Sequence, residues 1–180
     1  DLNLIVAHLG GGISVGAHRK GNVIDVNNAL NGEGPISPER AGTIPAEALV
    51  NLCFSGKYDI RQIKKMIHGH AGLVAYFGTN DMITIERKAE KGEEPYSLLF
   101  NAMLYTIAKE IGAMYVALMG QVDGIILTGG MAHGAYCVNE IKKQVGYMAP
   151  VIVIPGENEI KSLAFNALGA LRGELPVQTY

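Results

Sequence analysis

With 180 residues, 48% of them hydrophobic, the chain can bury one substantial core, which predicts a single domain or one lobe of a larger protein. A formal net charge of −2 without a basic stripe argues against a nucleic-acid partner. Two cysteines, Cys53 and Cys137, lack metal-ligand spacing and predict buried, reduced thiols in a cytoplasmic protein rather than a disulfide framework. The chain starts at Asp1 on an apolar run, so no signal peptide is expected and upstream sequence is expected to be missing.

Three short segments rich in β-branched residues come first: LIVAHLGG (4–11), ISVGAHRKG (13–21) and NVIDVNNA (22–29). Glycine and a Lys-Gly-Asn turn separate them, which predicts an antiparallel meander. The stretch NALNGEGPISPERAGTIP (28–45) reads as a loop, and loops of that length in compact proteins are usually functional. Helices are predicted at 45–55, with Pro45 in the first turn, and at 59–69, capped by Asp59 with Ile60, Ile63 and Ile67 on one face. MITIERKAEKG (82–92) reads as a further helix. YSLLFNAMLYTIAKEIGAMYVALMG (96–120) has the length of a membrane span, but Asn101, Lys109 and Glu110 interrupt it, so a buried helix is expected and no membrane partner.

The segment VDGIILTGGMAHG (122–134) predicts a buried strand ending on a glycine pair. Helix 135–148, strand 150–157 and helix 158–173 follow, the last with Ile160, Leu163, Ala164, Ala167, Leu168 and Leu171 on one face. The order β-β-β-α-β-α-β-α predicts an α/β fold, a mixed five-stranded sheet with helices packed on it.

HLGGGISVG (8–16) places three consecutive glycines after a strand. A dinucleotide fingerprint fails, because its third glycine falls on Val15 and no helix follows. A P-loop fails for want of Gly-Lys-Ser/Thr. Gly12 to Gly16 satisfy the G-x-S-x-G of a serine hydrolase around Ser14, but that elbow needs a strand-to-helix turn and here another strand follows. The remaining functional reading is a phosphate cradle, in which glycine leaves backbone N–H groups free to converge on an anion. A second glycine turn, TGGMAHG (128–134), precedes a helix, where free amides and the dipole favour an anion. The bland alternative, two plain tight turns, weakens with His8 beside one and His133 inside the other.

HLGGGISV, PERAG, TGGMAHG and PGENE, in that order, resemble the C-terminal half of butyrate kinases within the acetate kinase family. That family belongs to the actin, Hsp70 and sugar kinase superfamily. The resemblance covers the whole chain and implies a ribonuclease H-like, actin-type lobe: residues 1–180 as the C-terminal nucleotide-binding domain of a two-lobed acyl kinase. It implies transfer of the ATP γ-phosphate to a short-chain carboxylate, butyrate or a branched relative, reversibly, with ATP/ADP and Mg²⁺ as cofactors and a homodimer as the assembly. Acetate kinases carry His-Leu-Gly-Asn-Gly where this chain has His8, Leu9, Gly10, Gly11 and Gly12, so Gly11 replaces Asn. PERAG resembles their Thr-Arg-Ser-Gly, placing the catalytic guanidinium on Arg40, with His8 either donating to a nucleotide phosphate or holding the loop; Glu39 reads as solvated surface. Asp81 and Met82 match a segment on the adenosine side, with Ile83 in place of Arg. Asp81 is therefore either a ribose acceptor or the cap of the helix that follows. Gly129, Gly130, Met131, Ala132 and His133 resemble the second nucleotide loop, and PGENE implies Mg²⁺ held by Glu159 or Glu157. A nucleotide-gated binding module of actin or Hsp70 type is the alternative function, and a serine hydrolase a weaker one. The two histidines of HGH (68–70) have no ligand-spaced neighbours and read as the end of a helix.

Overall fold

The computed structural model describes residues 2–156 and 159–177, apart from the side chain of Glu159. Strands β1 (Asn3–Leu9), β2 (Ile13–Arg19) and β3 (Asn22–Val26) form the expected meander. Then come α1 (Ala46–Cys53), α2 (Ile60–Ile67), α3 (Gly72–Phe77), α4 (Met82–Glu90) and α5 (Tyr96–Ala117). The chain closes with β4 (Gly124–Gly129), α6 (Ala135–Val145), β5 (Val151–Pro155) and α7 (Glu159–Leu171). The sheet order is β3-β2-β1-β4-β5. β1 pairs antiparallel with β2 and parallel with β4, and β4 pairs parallel with β5, so the sheet is mixed as predicted. Helix α3 was not anticipated; its Gly72 takes a left-handed φ of 59° that hides the start from sequence.

Period-two alternation sorts β1. Ile5, Ala7 and Leu9 are fully buried, whereas Leu4, Val6 and His8 share the opposite, half-buried face. The buried face packs under α5, whose Phe100, Met103, Leu104, Ile107, Ile111 and Met114 recur at helical spacing. Each such side chain contributes roughly 1.5–3 kcal/mol on burial, so this stripe anchors the domain. Lys109 stands outside it, and no helix among the described residues is long and apolar enough to cross a membrane.

Two expectations fail. The apolar face of α7 is left largely uncovered by the described residues: Ile160, Leu163 and Leu171 are each at least 69% exposed. Amphipathic spacing identifies a face that seeks burial, not what buries it. Cys53 is exposed, because α1 buries no residue at all, while Cys137 is buried as expected. Burial, then the nearby Glu86 charge, pushes the Cys137 thiol up to about 12. Folding keeps this thiol protonated, so its stabilising contribution is complete below the ordinary thiol value and is lost as pH rises toward 12. Iodoacetamide at neutral pH is expected to label Cys53 alone in the folded chain, and both cysteines after unfolding, as mass spectrometry of tryptic peptides would read.

Candidate functional site

Both glycine turns follow the C-terminal ends of neighbouring parallel strands, β1 and β4, where ligands of open α/β sheets usually bind. The Gly10 N–H donates to the Gly12 carbonyl at 3.2 Å, closing the first turn tightly. Two cavities flank it. One, of about 740 Å³, is lined by Gly10, Gly11, Glu39, Asp81, Ile83, Glu86, Phe100, Gly130, Met131 and His133 among others. The other, of about 650 Å³, is lined by His8, Gly10, Gly11, Gly12, Ser14, Asn27, Leu30 and Arg40 among others. Gly10 and Gly11 line both, so the glycine turn is a shared wall between the two cavities.

The loop carrying Glu39 and Arg40 is clamped to that wall. Ser37, fully buried, donates its hydroxyl to the Gly11 carbonyl at 2.8 Å and accepts the Arg40 N–H at 3.0 Å. The Glu39 N–H donates to the Gly11 carbonyl at 3.0 Å. A Cβ at Gly12 would overlap the Arg40 guanidinium, so glycine there makes room for the arginine. Glu39 is half-buried, its carboxylate close above Gly11 and held by Asn80 Nδ2 at 2.9 Å. The expectation of a solvated surface carboxylate is corrected: the loop folds back onto the turn, a contact between segments nearly thirty residues apart that local sequence does not encode. Buried Asn27 braces the same region, accepting the Val15 N–H at 2.7 Å and donating to the Ile13 and Glu33 carbonyls at 3.1 and 3.0 Å.

The second turn divides its labour. Gly129 has φ 91° and ψ 176°, and a Cβ there would sit 2.6 Å from the Leu9 carbonyl oxygen. Leu9 itself is fully buried in the core and Ala132 is buried, so Leu9, Gly129 and Ala132 shape the site from behind rather than line it. Gly130, Met131 and His133 do line the larger cavity. One of the amides expected to be free at the start of α6 is taken: Glu86 on α4 accepts the Cys137 N–H at 2.9 Å. A carboxylate therefore already sits at that helix end and takes one of its amides. Glu86 escaped sequence reading because its partner lies 51 residues away.

Asp81 is the cap of α4. Its carboxylate accepts the Thr84 hydroxyl at 2.7 Å and the Thr84 N–H at 3.2 Å, and these bonds hold it below the ordinary carboxylate value. It also lines the larger cavity beside Ile83. Ser14 lies inside β2, opposite His8 across the β1–β2 pair, so no nucleophile elbow exists around it. His68 pairs with Arg40 in a single antiparallel bridge at the end of α2.

Glu157 and the side chain of Glu159, the expected magnesium ligands, lie outside the described residues. Among the described residues no three His, Cys, Asp or Glu side chains cluster to hold an ion. The larger cavity is nevertheless lined by Glu39, Asp81 and Glu86 and by no Lys or Arg. That oxygen-donor lining fits a hard cation carried by a nucleotide's phosphates, since Mg²⁺ takes one or two carboxylates and keeps its waters.

Comparison with known proteins fits this geometry. Two curated relatives, each named "Probable butyrate kinase", come from Phocaeicola vulgatus and Bacteroides thetaiotaomicron; they are 69% and 53% identical over 180 residues, covering 100% of this chain and 51% of each relative. The chain thus spans about half the length of the curated relatives it matches. An acetate kinase structure from Porphyromonas gingivalis superposes with a TM-score of 0.80 at 25% identity, over 93% of this chain and 49% of that one. A propionate kinase structure from Francisella tularensis shares the fold, with a TM-score of 0.79 at 23% identity over 89% of this chain and 47% of that one. The model of the acetokinase family matches residues 1–152, and with those motifs and that sheet the chain belongs to the acetokinase family.

Proposed function

We propose that this chain is the C-terminal, nucleotide-binding lobe of a two-lobed kinase that moves the γ-phosphoryl group of MgATP to a short-chain carboxylate, butyrate or a branched relative, and runs the reaction in both directions. The observation that carries this is the glycine wall between two chambers, with Arg40 on one side and a cavity lined by acceptors on the other. The nucleoside end occupies the larger cavity, where Met82 and Ile83 offer apolar surface. Its phosphates meet the backbone amides of Gly11 and Gly12. Arg40, reached across the wall with His8, stabilises the charge spread over the phosphoryl group in transit. Mg²⁺, supplied with the nucleotide, offsets phosphate charge. The names of the relatives support the butyrate branch, as does Gly11 in place of Asn. A cytoplasmic location and a homodimer complete the proposal; an actin-type binding module without transfer chemistry would not need Arg40.

The test is calorimetric titration of this chain with MgADP, repeated with Gly11→Leu. Saturable binding that the variant loses supports phosphates against the wall. Binding equal in both variants overturns it. In protein extended to the full length of the relatives, butyrate-dependent acyl phosphate formation is expected, whereas this chain alone is expected to show none. Sustained turnover by the chain alone would refute the two-lobed reading.

A further inference from the structure

Gly11 of the glycine turn and Glu39 of the PERAG loop meet in space. The structure stacks these positions: a Cβ built on Gly11 would lie 3.2 Å from both Cδ and Oε2 of Glu39. The carboxylate fills the direction that a side chain at position 11 would take. Asn80 Nδ2 at 2.9 Å and the Glu39 N–H on the Gly11 carbonyl at 3.0 Å fix it there, and both residues line the larger cavity.

The contact brings chemistry as well as shape. A carboxylate only accepts hydrogen bonds and repels bare phosphate. With no Lys or Arg among the residues lining that cavity, a cation brought by the ligand is the strongest counter-charge to the carboxylate there.

Resting on the nucleotide-binding reading above, we propose that Gly11 and Glu39 form a coupled pair that selects the ionic form of the nucleotide. Glu39, standing over Gly11 at the wall, excludes the free polyphosphate and admits its divalent-cation complex. Glu39 is thus a specificity-determining residue, and a side chain at position 11 would press on its carboxylate and shift it.

The experiment is calorimetric titration of protein extended to the relatives' full length with ADP, once in excess Mg²⁺ and once in EDTA, for wild type and Glu39→Gln. The ratio of the two affinities is expected to narrow about tenfold in the near-isosteric variant, chiefly through tighter binding of metal-free ADP. An unchanged ratio overturns the proposal while leaving the nucleotide reading intact. No binding of either form by wild type overturns both. The pairing itself is read without ligand, from melting temperatures of Gly11→Asn, Glu39→Thr and the double variant. The double variant is expected to recover at least half of the loss seen in Gly11→Asn. Losses that simply add would refute the coupling.

Discussion

Arg40→Ala is expected to lower acyl phosphate formation by about 10³-fold or more in protein extended to full length, the scale on which transferring phosphoryl groups depend on a guanidinium. MgADP affinity is expected to change little, because Arg40 lines the smaller cavity and not the larger one. Arg40→Lys should not rescue, since a point charge cannot span two phosphoryl oxygens as the planar fork does. The neighbouring Gly12→Ala is the sharper control. Its Cβ would overlap the guanidinium, the far end of a flexible side chain, so the arginine moves aside and the fold absorbs the change. Turnover is then expected to drop about 10²-fold through misplacement alone, with the melting temperature nearly unchanged. Steady-state assay and thermal denaturation of both variants check this. Full activity in Gly12→Ala would mean that the guanidinium works from somewhere else.

Gly129→Ala is expected to be the most damaging single methyl in the second turn. Its φ of 91° and ψ of 176° lie in a region almost reserved for glycine, and its Cβ would strike the Leu9 backbone, which cannot rotate away. Strain of this kind costs about 1–3 kcal/mol before the clash is counted. A melting temperature lower by roughly 5–10 °C is the expected reading for a chain of this size. The adjacent Gly130→Ala is the contrast, because nothing lies within 4 Å of its Cβ position. Stability should hold within about 0.5 kcal/mol, and any effect should appear in nucleotide binding, since Gly130 lines the cavity. Differential scanning calorimetry of the two variants separates them. Equal melting temperatures would show that the two turns do not lean on each other as described.

The sequence by itself determined the elements and most of their order. β-Branched residues bounded by glycine marked β1, and the tight turns after Leu9 and Arg19 dictated antiparallel pairing. The long apolar run at 96–120, interrupted by Asn101, Lys109 and Glu110, identified α5 as a buried helix. Four short motifs carried the family. All of these are local: they depend on side-chain period and turn chemistry within a few residues, which a linear string records. Tertiary structure decided the rest. Only folding brings Glu39 over Gly11 and Arg40 under Gly12, and only folding seats Glu86 on the start of α6. Two adjacent glycines, alike as letters, part into one pressed on Leu9 and one facing a cavity. Cys53 and the apolar stripe of α7 were misjudged for the same reason. Amphipathic spacing reports which face seeks burial, but burial is conferred by whatever packs there, and that partner is distant in sequence or outside the chain.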